Sequence, residues 1–327
     1  MKMCTRIMFS LVLALCVTGI TACERVREDT FVAFGTFLEV RSADHSAAAI
    51  VRREFARLQE IFDPYAPDSE LSRLNRSAGV PANVSEDMLA VLVLAERVRE
   101  ETRGAFDARA GRLYALWKNP GPGTAPAYDP SPAGAPPMRA DALPPLEIDI
   151  KRRRVIVPKG VRIDLSGIAK GYAVDRALAR VREAGIKNVL INAGGEIKCA
   201  GTGPRGAWRI GVRDPVRAGE ILRTLVLSDE AVATSGDYAQ RYRDGEREYS
   251  HLIDPRSGEP VHNSLRSVTV LSESCAVADS VATALFVLGG DEIDRFLSRT
   301  SLPVKGCLTV SQKENETFLQ EHKGAEE

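Results

Sequence analysis

Charge of one sign, clustered histidine and paired cysteine are what this chain lacks. Its 327 residues hold 44 Lys or Arg against 44 Asp or Glu, a formal net charge of zero. No bulk attraction therefore draws it onto nucleic acid or an anionic membrane surface. Histidine occurs only at 45, 251, 262 and 322, and the six cysteines include no CxxC pair, which argues against a zinc site. Apolar runs are short: the longest, Ile7 to Val17, is too brief to span a bilayer.

What is present begins at that run. Lys2 and Arg6 precede it and Thr18-Gly19-Ile20-Thr21-Ala22-Cys23 follows, the layout of a signal peptide over residues 1–22. Ile20-Thr21-Ala22-Cys23 is similar to a bacterial lipobox, in which the cysteine is lipidated and becomes the new N-terminus. Ordinary cleavage after Ala22 with a free thiol is the alternative. The expectation is a lipid on Cys23, a linker over 23–29, and a protein held on the periplasmic side of a bacterial membrane, the inner favoured over the outer. Loss of residues 1–22 removes two bases and no acid, leaving 42 against 44, or −2. Cys199, Cys275 and Cys307 then remain as three buried thiols, or as one disulfide and a free thiol.

The remaining length suits one large domain or two small ones. Asn119 to Pro145 holds nine of the 18 prolines with no apolar period, so it reads as a loop. The chain after Gln312 is polar and charged and reads as a disordered tail over 313–327. Between these limits, 30–312 reads as one α+β domain of mixed or antiparallel sheets and packed helices. Phe31–Val40 reads as a strand, Ala47–Phe62 as an amphipathic helix, and Ser85 as the N-cap of a helix to Arg103. Val155–Val157 and Val161–Leu165 read as a hairpin around Pro158-Lys159-Gly160.

Two stretches carry the chemistry. Asp164-Leu165-Ser166-Gly167-Ile168-Ala169-Lys170-Gly171 reads as a strand, a small-residue turn and a helix start, a geometry that offers backbone amides to phosphate. Ala278-Asp279-Ser280-Val281-Ala282-Thr283 lies in an apolar helix over Cys275–Leu288, with Asp279 and Thr283 four residues apart on one face. A carboxylate in a buried helix needs compensation. A cap or salt bridge would provide it; so would magnesium, which takes few carboxylates, hydroxyl or carbonyl oxygens, and substrate phosphates. The expected set is Asp279, Thr283 and the Gly167 carbonyl. His251 is the natural proton acceptor, since imidazole titrates near neutrality. A backbone-bonding histidine and Asp279 as the base are the alternatives.

Eight ordered blocks then resemble one family. They are DPYAPDSELSRLN (63–75), GAFDARAGRLYALW (104–117), RIDLSGIAKGYAVD (162–175), NAGGEI (192–197), WRIGVRDP (208–215), ATSGDY (233–238), HLIDPRSGEPV (251–261) and ADSVATALFVLG (278–289). The chain resembles the FAD:protein FMN transferase (ApbE) family, as a bacterial lipoprotein member. The resemblance implies that Phe34 and Tyr65 meet the flavin ring. It also implies that Ala105, Phe106 and Asp107 face the nucleotide, that Asp164 and Lys170 hold its ribose, adenine or phosphates, and that Ile253 lines the pocket floor. The implied reaction moves FMN from FAD to a Thr or Ser hydroxyl, with magnesium, releasing AMP. The implied acceptors are periplasmic-facing flavoprotein subunits of respiratory electron-transfer complexes. Hydrolysis of FAD to FMN and AMP, or FAD binding without catalysis, stay open.

Overall fold

The structure, a computed structural model, describes residues 26–118, 139, 142–237, 241–244, 247–313 and 316–324. The signal segment, Cys23 and most of the 119–145 stretch lie outside the described residues.

In chain order the first half runs β1 (Arg27–Ala33), β2 (Thr36–Ser42), α1 (Ala47–Phe62), α2 (Glu70–Arg76), β3 (Ala82–Asn83), α3 (Glu86–Glu101), α4 (Gly111–Lys118), β4 (Glu147–Asp149), β5 (Arg154–Ile156) and α5 (Ala169–Glu183). The second half runs β6 (Val189–Ala193), β7 (Glu196–Ala200), β8 (Trp208–Arg213), β9 (Ile221–Leu227), β10 (Ala231–Gly236), β11 (Arg241–Asp244), β12 (Arg247–Ser250), β13 (Ile253–Asp254), β14 (Glu259–Pro260), β15 (Leu265–Ser272), α6 (Cys275–Leu288), α7 (Gly290–Leu297), β16 (Val304–Lys313) and β17 (Glu316–Lys323).

Eight strands form one antiparallel sheet in the order β1-β2-β6-β7-β10-β15-β16-β17. Side-chain alternation gives this sheet two different faces. Val189, Ile191 and Ala193 of β6, with Ala231 and Ala233 of β10, join the large core under α1, α3, α5 and α6. Leu190 and Val232 point the other way, into a small cluster with Trp208, Ile210 and Leu227 of the β8–β9 hairpin. Helix α6 is buried almost all round, as its composition predicts. The α+β expectation holds, with helices on one face and a two-stranded layer on part of the other.

Three local expectations give way. Phe31–Val40 is not one strand: Phe34 and Gly35 take φ values of 50° and 70°, the paired left-handed conformation of a two-residue hairpin turn. Strand β1 starts at Arg27, inside the expected linker. Residues 161–165 do not pair with 155–157; β5 pairs with β3 and β4 instead. The Asn75 side chain clamps the 161–165 segment, donating to the Ile163 carbonyl at 2.9 Å and accepting its N–H at 2.7 Å. The Gly111 N–H bonds the Arg162 carbonyl, and the Asp164 N–H bonds the Ala108 carbonyl.

The polar C-terminal stretch is also ordered, as the edge strand β17. Buried His322 fixes it, with Nδ1 2.7 Å from Asp294 on α7 and Nε2 3.1 Å from the Thr309 hydroxyl on β16. Cutting the chain after Lys313 should uncover the ladder edge of β16 and remove both contacts. We expect a loss on the order of 3 kcal/mol, roughly 5–10 °C in Tm, with new aggregation, read by calorimetry and light scattering. Cys199, Cys275 and Cys307 are buried free thiols, and burial pushes Cys307 up to about 12. They are inert packing residues.

Candidate metal and dinucleotide site

The two predicted stretches meet where α5 starts beside the middle of α6. A Cβ added to Gly167 would lie 3.5 Å from the Thr283 Oγ1 and 3.2 Å from the Phe106 ring. The Gly171 N–H donates to Asp279 Oδ2 at 3.0 Å. Ser235 of β10 adds a hydroxyl 3.1 Å from Thr283 Oγ1. The backbone around Gly167, the Thr283 hydroxyl and the Asp279 carboxylate therefore share one small volume.

Local sequence explains the approach. A Cβ at Gly171 would sit 2.4 Å from the Cys275 carbonyl oxygen and 2.8 Å from the Ala276 Cα, so only glycine lets α5 close on α6. Asp175, one turn further along α5, caps α6. It accepts the Cys275 N–H at 2.9 Å, the Ala276 N–H at 3.0 Å and the Ser274 hydroxyl at 2.8 Å. Lys198 of β7 balances its charge at 2.6 Å. Gly171→Ala should cost about 1–3 kcal/mol by overpacking, against its gain in helix propensity. Thermal denaturation checks this; an unchanged Tm would refute the close-packing account.

The electrostatics suit a cation. Burial and Glu196 push Asp279 up to about 7, against the pull of Lys170 and the Gly171 N–H. Lys170 bonds Glu196 Oε1; burial works to lower its pKa, but Glu196 and Asp279 raise it. The buried Oε2 of Glu196 has no hydrogen-bond partner among the described residues. Two crowded carboxylates sharing one lysine are under-compensated, and a divalent ion would supply what is missing. Carboxylate, hydroxyl and carbonyl are a donor set that fits magnesium. Among the described residues no three His, Cys, Asp or Glu side chains converge on a metal position, and such a set needs none.

The nucleotide candidates surround this point. Loops 105–110 and 161–167 run side by side through the bonds given above. Asp164 turns its own loop by accepting the Ser166 N–H at 2.8 Å. Ala105, Phe106 and Asp107 are all buried. The Asp107 carboxylate does not stand free toward a ligand: Arg109 grips both its oxygens, at 2.9 and 2.6 Å. Lys170 likewise points to Glu196 and not to open space. Ile253 packs with Ala110, Leu113 and Trp117, and the Tyr114 hydroxyl donates to the Asp107 carbonyl at 3.2 Å. Burial pushes the Tyr114 phenol well up, helped by Asp107, Asp164 and Asp254, so strand β13 reaches the same corner. His251 stands half-buried between β12 and β13.

Phe34 and Tyr65 gather at the C-terminal end of α1. The Phe34 N–H donates to Gln59 at 3.3 Å and its ring meets Phe55 edge-on. Tyr65 is 81% exposed, so it is not a core residue, and Asp63 sets its turn by accepting its N–H at 2.8 Å. Phe62, at the end of α1, packs edge-on against Tyr172 of α5, tying this end to the α5 start. Sequence reading missed Glu196, Ser235, Gly171 and Asp175. Each lies inside a block already noted, but a contact between remote blocks leaves no local signal.

Comparison with known proteins points to one family. The model of the ApbE family matches residues 34–306. The FAD:protein FMN transferase of Vibrio cholerae is 36% identical over 254 residues, 76% of this chain and 75% of the relative. That of Haemophilus influenzae is 32% identical over 249 residues, 73% and 72% of the two chains. Among solved structures, the flavinyl transferase ApbE of Pseudomonas stutzeri superposes with a TM-score of 0.77 at 27% identity, covering 91% of this chain and 95% of that one.

Proposed function

The chain belongs to the ApbE family, and we propose that it carries FMN from FAD to a threonine or serine hydroxyl of a partner protein. The transferase class rests on the curated relatives. The observation that carries the finer reading is the approach of Gly167 to Thr283 beside a buried carboxylate that lacks compensation.

Gly167, Asp279 and Thr283 would hold magnesium, which would neutralise the FAD diphosphate and the charge that grows on departing AMP. The protein's own groups do the rest. Asp175 and Gly171 fix the height of Asp279 on α6, and Ser235 orients the Thr283 hydroxyl. Tyr65, an exposed aromatic side chain at this end of α1, offers a face for the flavin ring. His251 takes the proton of the acceptor hydroxyl as its oxygen bonds the FMN phosphorus. The bond from that phosphorus to the AMP phosphate breaks, and the electron pair leaves with AMP. Positioning and charge stabilisation supply most of the acceleration.

A lipid on Cys23 would hold the enzyme at the periplasmic face of the membrane, where flavoprotein subunits of respiratory complexes are its acceptors. Tethering raises their effective concentration without new contacts. Incubating the protein with FAD, magnesium and such a subunit tests the reaction. Flavin that stays on the subunit through denaturation, with AMP released in equal amount, is the expected result. Free FMN with AMP would mean that water takes the place of the hydroxyl, and unchanged FAD would mean a carrier; either overturns the transfer.

A further inference from the structure

A cavity of about 510 Å3 lies on the sheet face opposite α6, away from the site described above. Its floor is the outer face of β2, β6 and β10, where Glu39, Arg41, Asn192 and Thr234 point. One wall is β8, and five consecutive residues of it, Arg209 to Arg213, line the cavity. Consecutive residues alternate between faces, so β8 turns its backbone edge to the space and not one side. Among the described residues that edge carries no ladder: β8 pairs with β9 alone. The second layer of strands therefore stops one strand short. It packs through Trp208, Ile210 and Leu225 on Leu190 of β6, Val232 of β10 and the strands beyond, and the outer face of β1, β2 and the Asn192 end of β6 lines the cavity instead.

The rim is charged in one sense. Arg209 and Arg213 are exposed on the outer side of β8, four residues apart, and neither has a hydrogen-bond or ion-pair partner among the described residues. Arg41 on the floor is already ion-paired with Glu28 and Glu39. Open amides and carbonyls bind an extended chain through main-chain bonds. Cross-strand pairing would set two side chains of that chain, four residues apart, beside Arg209 and Arg213.

We propose that this groove is a docking surface for an extended acidic segment of a partner protein. The segment adds a strand to β8, with carboxylates four residues apart facing Arg209 and Arg213 and small hydroxyl side chains turned to the floor. The inference deepens the reading above, and rests on it only in taking that partner to be the FMN acceptor. A protein-modifying enzyme has to hold a flexible chain as well as a dinucleotide. Thr36, Gly194 and Gly195 line the cavity, at the end of the sheet where the Phe34 turn and Glu196 also lie.

The test needs no flavin, so its failure is separate from failure of the transfer reaction. A fluorescein-labelled peptide, Ser-Glu-Thr-Ser-Thr-Glu-Ser, is titrated with the full-length protein and followed by anisotropy. Saturable binding is expected, weakened at least tenfold in the double variant R209E/R213E. A peptide with both glutamates replaced by lysine should show the reverse preference. FAD and magnesium binding should stay unchanged in the double variant, which shows that the site itself is intact. Absence of binding to the native protein, equal binding to the double variant, or displacement of the peptide by inorganic phosphate alone would each overturn the proposal.

Discussion

Asp279→Asn should cut transfer by about 10³-fold while leaving the metal-free protein at least as stable as the native one. The amide keeps the shape and can still accept the Gly171 N–H, but it removes the charge that a divalent ion requires. With magnesium held as proposed, loss of its charge stabilisation is worth several kcal/mol, so the rate should fall about 10³-fold even at saturating magnesium. Stability should move the other way, because the native carboxyl is held far above the usual carboxylate range by burial and by Glu196. An acid whose folded pKa is raised costs stability once pH exceeds its unfolded value, about 3.9, and the cost grows until pH passes the folded value, about 7. The metal-free variant should therefore gain on the native protein between pH 5 and pH 7. Magnesium should raise the Tm of the native protein alone. Calorimetry with and without the ion reads both effects, and a variant that is less stable without metal would rule out Asp279 as a crowded ligand.

Helix α6 is legible because a carboxylate in a helix that is apolar all round needs compensation, from a cap, an ion pair or a cation. Asp279 and Thr283 follow from 3.6-residue spacing, and Gly167 from a turn too small to be a core element. Contacts made across long separations are less legible. Asn75 clamps Ile163 from 88 residues away, so 161–165 looks like half of a local hairpin when only its neighbours are read. Glu196 is in another strand, so nothing near Lys170 announces that its ammonium is already engaged. Likewise the bond of Arg109 to Asp107 is compatible with either a ligand carboxylate or a structural one until coordinates place it. Strand β17 is hidden by composition, because seven of its eight residues are partly or fully exposed and only His322 is buried. The turn at Phe34 is hidden too, since a bulky residue at φ 50° is not what a hairpin turn usually selects.

His251→Ala should lower transfer by roughly 10²–10⁴-fold, the usual contribution of a positioned base, with the KM for FAD almost unchanged. The residue sits half-buried at the corner between β12 and β13, and the chain after it runs straight into Ile253 and the packed floor formed with Ala110 and Trp117. A histidine that only supported this corner would take the floor with it: its loss would raise the KM for FAD and lower Tm, and Asn or Gln in its place would restore much of both. A proton acceptor behaves differently. It leaves FAD affinity alone, Asn and Gln do not rescue it, and the acid limb of the rate profile disappears with it because the titrating imidazole is gone. Asp279 makes a poorer candidate, since a carboxylate that holds a cation has its lone pairs committed and its basicity reduced. Profiles of kcat against pH for the native protein and His251→Ala separate these cases. An acid limb that survives in the variant would move the proton to another group, and with it the role now given to the one histidine at the end of the β12 strand.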